Sequence, residues 1–273
     1  MDDLFEEQKQ KFKEALRQAQ SVVVSTGAGV SAESGVPTFR GKDGLWRKYN
    51  VMELATPEAF ERNPSLVWEF YNYRRELMFS KQPNPGHITL AKLEEYLTSQ
   101  SKEFTLITQN IDGLHKRAGS KNILAVHGDL YGVKCTRCDY KAENKDVPIT
   151  PAFEGLGSPD PDTPEANVSF DDLPKCPKCN ALIRPDVVWF GESLDSEILS
   201  KVDMAIAKAD FMLVVGTSML VYPAAAFPYA AKQTGAKLAF VNFEQTGNEN
   251  IFDFVFIGKS GEILPEILNI YED

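Results

Sequence analysis

At 273 residues the chain is long enough to bury a full core, as one large domain or a large domain with a smaller insert. Its formal net charge of -10 and pI near 5.0 argue against a nucleic-acid binder, which needs a basic face to neutralise phosphates. The opening Met1-Asp2-Asp3-Leu4-Phe5-Glu6-Glu7 is acidic without an apolar stretch, unlike a signal or transit peptide. A reducing, cytoplasmic setting is therefore expected, with organelle import left open, and four cysteines there are metal ligands sooner than disulfides.

Residues 4–20 carry an amphipathic helical pattern, and Ser21–Ser25 follow as a short buried strand. Gly27-Ala28-Gly29-Val30-Ser31-Ala32 opens directly after it. The spacing fits the dinucleotide fingerprint, in which glycines let the backbone approach a pyrophosphate and the next amides donate to it. An ordinary glycine turn has the same letters. Gly35 and Pro37 interrupt the helix, and no acidic residue ends a second strand at ribose-hook spacing, which counts against a hydride-transferring dehydrogenase.

Residues 42–85 read as helical and aromatic-rich with no clear strand. A helix over Gly86–Ser99 and a strand over Phe104–Thr108 come next, then Gln109-Asn110-Ile111-Asp112-Gly113-Leu114-His115. An amide, a carboxylate and a glycine at a strand's C-terminal end sit where open α/β sheets bind ligands; an Asx-rich turn is the bland alternative. The apolar Ile123–Val126 empties into His127-Gly128. The chain has three histidines, and His127 stands out because it precedes the cysteine-bearing segment, at an expected inter-domain cleft.

Residues 128–184 hold all four cysteines and a long Pro-, Gly- and Asp-rich loop between Pro148 and Pro174. Such a loop is functional or is anchored by something other than a core. Cys135-x-x-Cys138 and Cys176-x-x-Cys179 can converge as four thiolates on one tetrahedral zinc. Four protein ligands leave no open position, so the zinc is structural; buried thiols or a redox pair are the alternative.

Strands are expected at Val187–Phe190, Phe211–Val215, Leu238–Asn242 and Phe252–Ile257, between helices at Leu194–Ala209 and Pro223–Thr234. Phe211–Ala231 is uncharged and about bilayer length, but Gly216-Thr217-Ser218, Pro223 and Pro228 make it a buried strand, a loop and a helix, with no membrane span. The strand ends Val215-Gly216-Thr217-Ser218 and Val241-Asn242-Phe243-Glu244 offer groups that hydrogen-bond phosphate and ribose. Strands alternating with helices define an α/β fold with a mainly parallel sheet covered on both faces.

These segments, in this order, resemble the sirtuin family over about residues 20–268; Gly35-Val36-Pro37-Thr38-Phe39-Arg40 belongs to the same pattern. The resemblance implies a Rossmann-like NAD domain (1–41, 86–127 and 185–273) and a smaller domain with a helical module (42–85) and a zinc module (128–184). It also implies that NAD is consumed. Sirtuins break the nicotinamide–ribose bond, the substrate's acyl oxygen captures the ribose, and a histidine, here His127, acts as base on a ribose hydroxyl. Free lysine and O-acyl-ADP-ribose result. By position, Asn110 and Asp112 line the nicotinamide pocket, beside Gln109 and Ile111. Gly27, Ala28, Gly29 and Ser31, the loop residues Thr38, Phe39 and Arg40, and Gly216, Thr217 and Ser218 contact the cofactor. Asn242, Phe243, Glu244 and Ser260 complete its adenosine side. Val188-Trp189-Phe190-Gly191-Glu192 looks like the strand that pairs with the backbone of an acyl-lysine protein or peptide, with Val188, Phe190, Gly191 and Glu192 as contacts.

Within that family, Phe70-Tyr71-Asn72-Tyr73-Arg74-Arg75 resembles the subclass that removes succinyl, malonyl and glutaryl groups, with the small Ala55 widening the pocket. Tyr71 and Arg74, three apart, share a helical face, and a guanidinium fork with a phenol suits a terminal carboxylate. An arginine read by itself would be a surface ion-pair former. Weak deacetylation and a monomer are also expected. The rival readings are an NAD-dependent ADP-ribosyltransferase and a non-catalytic, NAD-sensing zinc interaction module.

Overall fold

The computed structural model describes residues 2–38 and 44–269. The chain divides into two compact units: Met1–Val36, Gln82–Val126 and Asp195–Asp273 form the larger, and Pro37–Lys81 with His127–Leu194 the smaller.

The larger unit is built on six parallel strands in the spatial order Phe254–Ile257, Lys237–Asn242, Phe211–Val215, Ser21–Thr26, Glu103–Thr108, Ile123–Ala125. The central ones read as near-continuous apolar runs, as a sheet covered on both faces requires. Phe211–Val215 is buried throughout. Alternate side chains such as Val22, Val24, Leu106, Leu213 and Val215 join one core with Phe12, Leu16, Leu90, Leu93 and Leu264, which come from the helices Asp2–Gln18, Pro85–Ser99 and Ser260–Ile267. Phe12 meets Phe211, Phe254 and Phe256 edge-on, with ring centroids 5.5–5.7 Å apart. Helices Ser196–Lys208 and Phe227–Gln233 pack through Val202, Ile206 and Ala231, all buried. Ala224–Ala226, expected as the start of the second of these, is instead a separate 3-10 turn. From Ser21–Thr26 the chain adds strands toward one edge, then returns to add Phe211–Val215 on the other side. The switch point thus lies between those two neighbouring strands, where open α/β sheets take their ligands.

The first segment of the smaller unit carries three helices, Val51–Leu54, Pro57–Arg62 and Pro64–Ser80. Asn50, Thr56 and Asn63 cap them by accepting from the amides of Met52, Ala59 and Leu66, and Pro57 and Pro64 stand in the first turn, where no N–H is needed. The last helix has no polar face over its middle: Val67, Trp68, Phe70, Tyr71 and Arg75 are all at most 1% exposed. Contrary to the sequence reading, a short antiparallel ladder precedes it, Leu45–Trp46 against Tyr49–Asn50.

A second correction concerns the segment before residue 190. The strand runs Ile183–Val187, not Val187–Phe190, and pairs antiparallel with Gly128–Cys135 in a three-stranded sheet closed by Lys141–Glu143. Arg184, Pro185 and Asp186 hid it from an apolar-run criterion. Proline lacks an N–H and is accommodated because this strand lies at the sheet edge. Residues 185–194 and His127 accordingly fall in the smaller unit, whereas the sequence reading placed them in the larger, and the helical module ends at Lys81 rather than 85.

The long loop is anchored by a buried ion pair. Arg47 Nη2 meets Glu69 Oε1 at 2.5 Å, while its Nε and Nη1 donate to the carbonyls of Ser158 and Pro164. Glu69 Oε2 accepts from the Ala166 amide at 3.0 Å, and the Trp46 indole donates to Gly157 O at 3.3 Å.

Candidate active site

At the switch point two glycine turns interlock. Gly27 N donates to Val215 O at 3.0 Å and Gly29 N to Gly216 O at 2.8 Å. A Cβ on Gly29 would sit 2.8 Å from Gly216 Cα, and one on Gly216, where φ is +61°, 2.3 Å from Val30 N. The glycines are therefore required first by the approach of one turn to the other, a reason that the fingerprint alone does not reveal.

Around these turns lies a connected set of polar side chains. Asn110 Nδ2 donates to Gly27 O at 3.0 Å and to Ser31 Oγ at 3.1 Å. Ser31 Oγ in turn donates to Asp112 Oδ2 at 2.8 Å, and Asp112 Oδ1 accepts from Leu114 N, which starts the helix Leu114–Ala118. Gln109 Nε2 reaches Thr217 Oγ1 at 3.3 Å. Three segments distant in sequence are thus drawn together at the strand ends, the first glycine turn, the segment 109–112 and Gly216-Thr217, with a histidine pair behind them.

That pair consists of His87 and His115, with ring centroids 4.8 Å apart. His87 Nε2 lies 3.2 Å from Ser31 Oγ, and His115 Nε2 lies 3.0 Å from Thr26 Oγ1. Burial pulls the His87 pKa down to about 4. Burial, with His87 adding to it, pulls that of His115 to about 3. Both rings are neutral near pH 7. Sequence reasoning gave neither a role, though His115 closes the segment it took as a ligand site, and Asn84-Pro85-Gly86-His87 carries a signal, since Asn84 and His87 form a capping box.

The remaining candidates of this unit are more dispersed. Ala28, Ile111 and Ser218 are half-buried, and Asn242 donates to Glu244 O at 2.7 Å, while Phe243 and Glu244 are exposed. The Ser260 hydroxyl is given to Glu33 Oε1 at 3.2 Å. Phe39 and Arg40 lie outside the described residues, and Thr38, in the smaller unit, is half-buried. Glycine turns, amides, hydroxyls and a carboxylate at a switch point make a donor set that fits a dinucleotide.

In the smaller unit, His127 is half-buried and its carbonyl accepts from Val188 N at 3.0 Å. Gly128, at φ +85°, permits that approach: a Cβ there would fall 2.1 Å from Asp186 O. Tyr71 and Arg74 occupy one face of Pro64–Ser80, the Arg74 guanidinium 5.6 Å from the Tyr71 ring centre and 5.5 Å from that of Phe70. Burial raises the Tyr71 pKa, with Arg74 acting the other way, so the phenol keeps its proton. Ala55 is buried, and its carbonyl accepts from Phe190 N at 2.9 Å. With the amides of Val188 and Phe190 so engaged, a peptide pairing along 188–192 must use other backbone groups. The Glu192 carboxylate is also committed, gripped by Arg184 through bonds of 2.6 and 2.8 Å. Sequence reasoning missed Arg184, which reads as a surface charge.

The four cysteine sulfurs lie within 4.8 Å of one another. Cys135 to Cys179 is 3.5 Å, and Cys138 is 3.6 Å from both Cys176 and Cys179. A tetrahedron with Zn–S bonds of about 2.3 Å has S–S edges of about 3.8 Å, so the cluster fits one zinc. The amides of Arg137 and Cys138 point at Cys135 Sγ, as expected around a thiolate. The site sits where Gly128–Cys135 ends, and four cysteine ligands fill a tetrahedral zinc with no open position, which makes the metal structural.

Comparison with known proteins agrees with this geometry. The profile of the Sir2 family matches residues 27–223. Over 263 residues, 96% of this chain and 85% of the relative, the sequence is 51% identical to "NAD-dependent protein deacylase sirtuin-5, mitochondrial" of Canis lupus familiaris. It is 50% identical to the protein of the same name in Danio rerio, covering 96% and 86%. Among solved structures, a Sir2 homolog–NAD complex is similar with a TM-score of 0.83 and 40% identity, covering 96% of this chain and 94% of that one. One expectation falls here. The vertebrate relatives are mitochondrial by name, so the cytoplasmic placement drawn from the acidic N-terminus does not stand.

Proposed function

The chain belongs to the Sir2 family and is an NAD-dependent protein deacylase, and on that premise we propose that it prefers lysine acyl groups ending in a carboxylate: succinyl, malonyl and glutaryl. The observation that carries this reading is the pairing of Arg74 with Tyr71: a cation held against two aromatic rings beside a buried, protonated phenol. Both groups donate hydrogen bonds, and a carboxylate only accepts them. An acetyl group ends in a methyl and gives neither donor a partner. Ala55, small and buried, is assigned to the same pocket, where a larger side chain would narrow it.

NAD, when bound, supplies the activated ribose that accepts the acyl group as nicotinamide leaves. We assign its binding to the interlocked turns at Gly27–Gly29 and Gly216–Ser218, and its nicotinamide end to Asn110 and Asp112, which Ser31 holds together. His127 takes the role of base, removing a proton from a ribose hydroxyl, work for which an imidazole is suited near pH 7. The products are then free lysine, nicotinamide and O-acyl-ADP-ribose.

The test is kcat/KM on one peptide carrying succinyl-, malonyl-, glutaryl- or acetyl-lysine at saturating NAD, with the ADP-ribose product identified by mass. Faster turnover of all three acidic groups is expected. Equal or greater efficiency on acetyl-lysine would sink the reading, and ADP-ribose found on the protein would favour a transferase.

A further inference from the structure

Trp189 lies beside the acyl pocket and none of the roles above uses it. Its indole Nε1 donates to the Tyr71 hydroxyl at 2.9 Å, an interaction buried on both sides. The direction is unambiguous, because an indole N–H only donates. The Tyr71 oxygen must therefore accept, and its own proton is turned elsewhere.

The indole itself is firmly set. The Arg184 guanidinium stacks on it, 3.4 Å from the ring centre, and Phe60 packs at 5.4 Å between centroids. Glu192 grips Arg184 with both oxygens and also accepts from Trp189 N at 2.9 Å. Glu192 N closes the turn on Trp189 O at 3.0 Å, with Gly191 at φ +89° as its third residue. Burial opposes ionisation of Glu192, but the Arg184 fork and the Trp189 amide outweigh it and hold the carboxyl below its ordinary pKa.

We infer that Trp189 is a specificity-determining positioning residue: its indole N–H occupies the acceptor side of the Tyr71 hydroxyl and so fixes that hydroxyl as a donor to the acyl carboxylate. The inference rests on the carboxylate-binding role proposed for Tyr71 and Arg74. A hydroxyl free to turn would offer its lone pairs to an anion in part of its orientations. One that already accepts an N–H presents its proton, and the accepted bond polarises it toward stronger donation. The ion pair of Arg184 with Glu192 thus bears on substrate choice through the indole it holds in place.

The experiment replaces Trp189 in the full chain with benzothienylalanine, which keeps the bicyclic shape and lacks the N–H, alongside Trp189→Phe, Tyr71→Phe and the combination of benzothienylalanine with Tyr71→Phe. The readout is the ratio of kcat/KM for succinyl-lysine to that for acetyl-lysine on one peptide. Loss of the N–H is expected to lower the ratio about tenfold, chiefly through KM for the succinyl peptide. In the Tyr71→Phe background the same replacement should lower it no further. An unchanged ratio with benzothienylalanine, or a further fall in the Tyr71→Phe background, overturns the inference while the acidic-acyl reading stands. A wild-type ratio at or below one overturns that reading instead.

Discussion

Arg74 and Arg75 are neighbours in the chain with opposite surroundings. Arg75 is fully buried, and its guanidinium donates to the carbonyls of Leu130, Asn144 and Asp146 at 3.2, 2.6 and 2.8 Å. Arg74 is half-buried against the rings of Phe70 and Tyr71. One residue ties the helix Pro64–Ser80 to the zinc-bearing sheet, and the other is the proposed partner of the acyl carboxylate.

Substituting the two should therefore separate stability from specificity. Arg74→Met is expected to lower kcat/KM for succinyl-lysine by roughly 30-fold to several-thousandfold, since a lost charged partner costs about 2–5 kcal/mol. Weak deacetylation should change little. Arg75→Met leaves the carbonyls of Leu130, Asn144 and Asp146 without their charged donor and should lower the unfolding free energy by about 2 kcal/mol or more. Paired urea melts and steady-state rates check both. Equal slowing of the two activities by Arg74→Met would assign that residue to the scaffold.

The contrast also marks what the sequence discloses. Tyr71 and Arg74 were singled out by resemblance to a family subclass, and their spacing of three, a local property of a helix, only showed that they could share a face. The glycine turns and the segment Gln109–Asp112 were legible because each follows a strand, and the cysteines because two Cys-x-x-Cys pairs are a fixed spacing. Arg47 with Glu69, and Arg184 with Glu192, were not. Each is a charged pair joined only by folding, and charges in a sequence read as solvated. The strand Ile183–Val187 was hidden by Pro185, whose tolerance depends on its edge position, a fact of topology.

For His127, the expected outcome of His127→Ala is near-normal NAD binding with deacylation reduced about 10²–10⁴-fold, the usual contribution of a positioned base. Calorimetric titration with NAD and single-turnover product analysis distinguish the two effects. Near-wild-type turnover would remove His127 from the mechanism.

The zinc should behave as part of the fold. Metal analysis is expected to find about one zinc per chain. Cys176→Ser, at the buried ligand, should lower the thermal midpoint and expose the smaller unit to protease, because ligand loss and unfolding are linked. A metal-free protein with an unchanged melting curve would contradict the assignment.

The buried histidines give a prediction in pH. His87 and His115 have pKa values pulled down to about 4 and about 3, chiefly by burial. In the unfolded chain both return to about 6.5. Between those values the unfolded state binds protons that the native state does not, so stability falls as pH falls. Above about pH 7 neither state binds them and the contribution is complete. From pH 7 to 5.5 the two rings together should cost about 2.5 kcal/mol of unfolding free energy, a window in which most carboxylates still carry their charge. Replacing His115 with Gln, which cannot be protonated, should remove about half of that dependence whatever it does to absolute stability. Urea melts of both proteins at pH 7, 6 and 5.5 supply the comparison. If the two slopes coincide, His115 is not held neutral, and the Thr26 hydroxyl, 3.0 Å from its Nε2, must stabilise a charged ring instead.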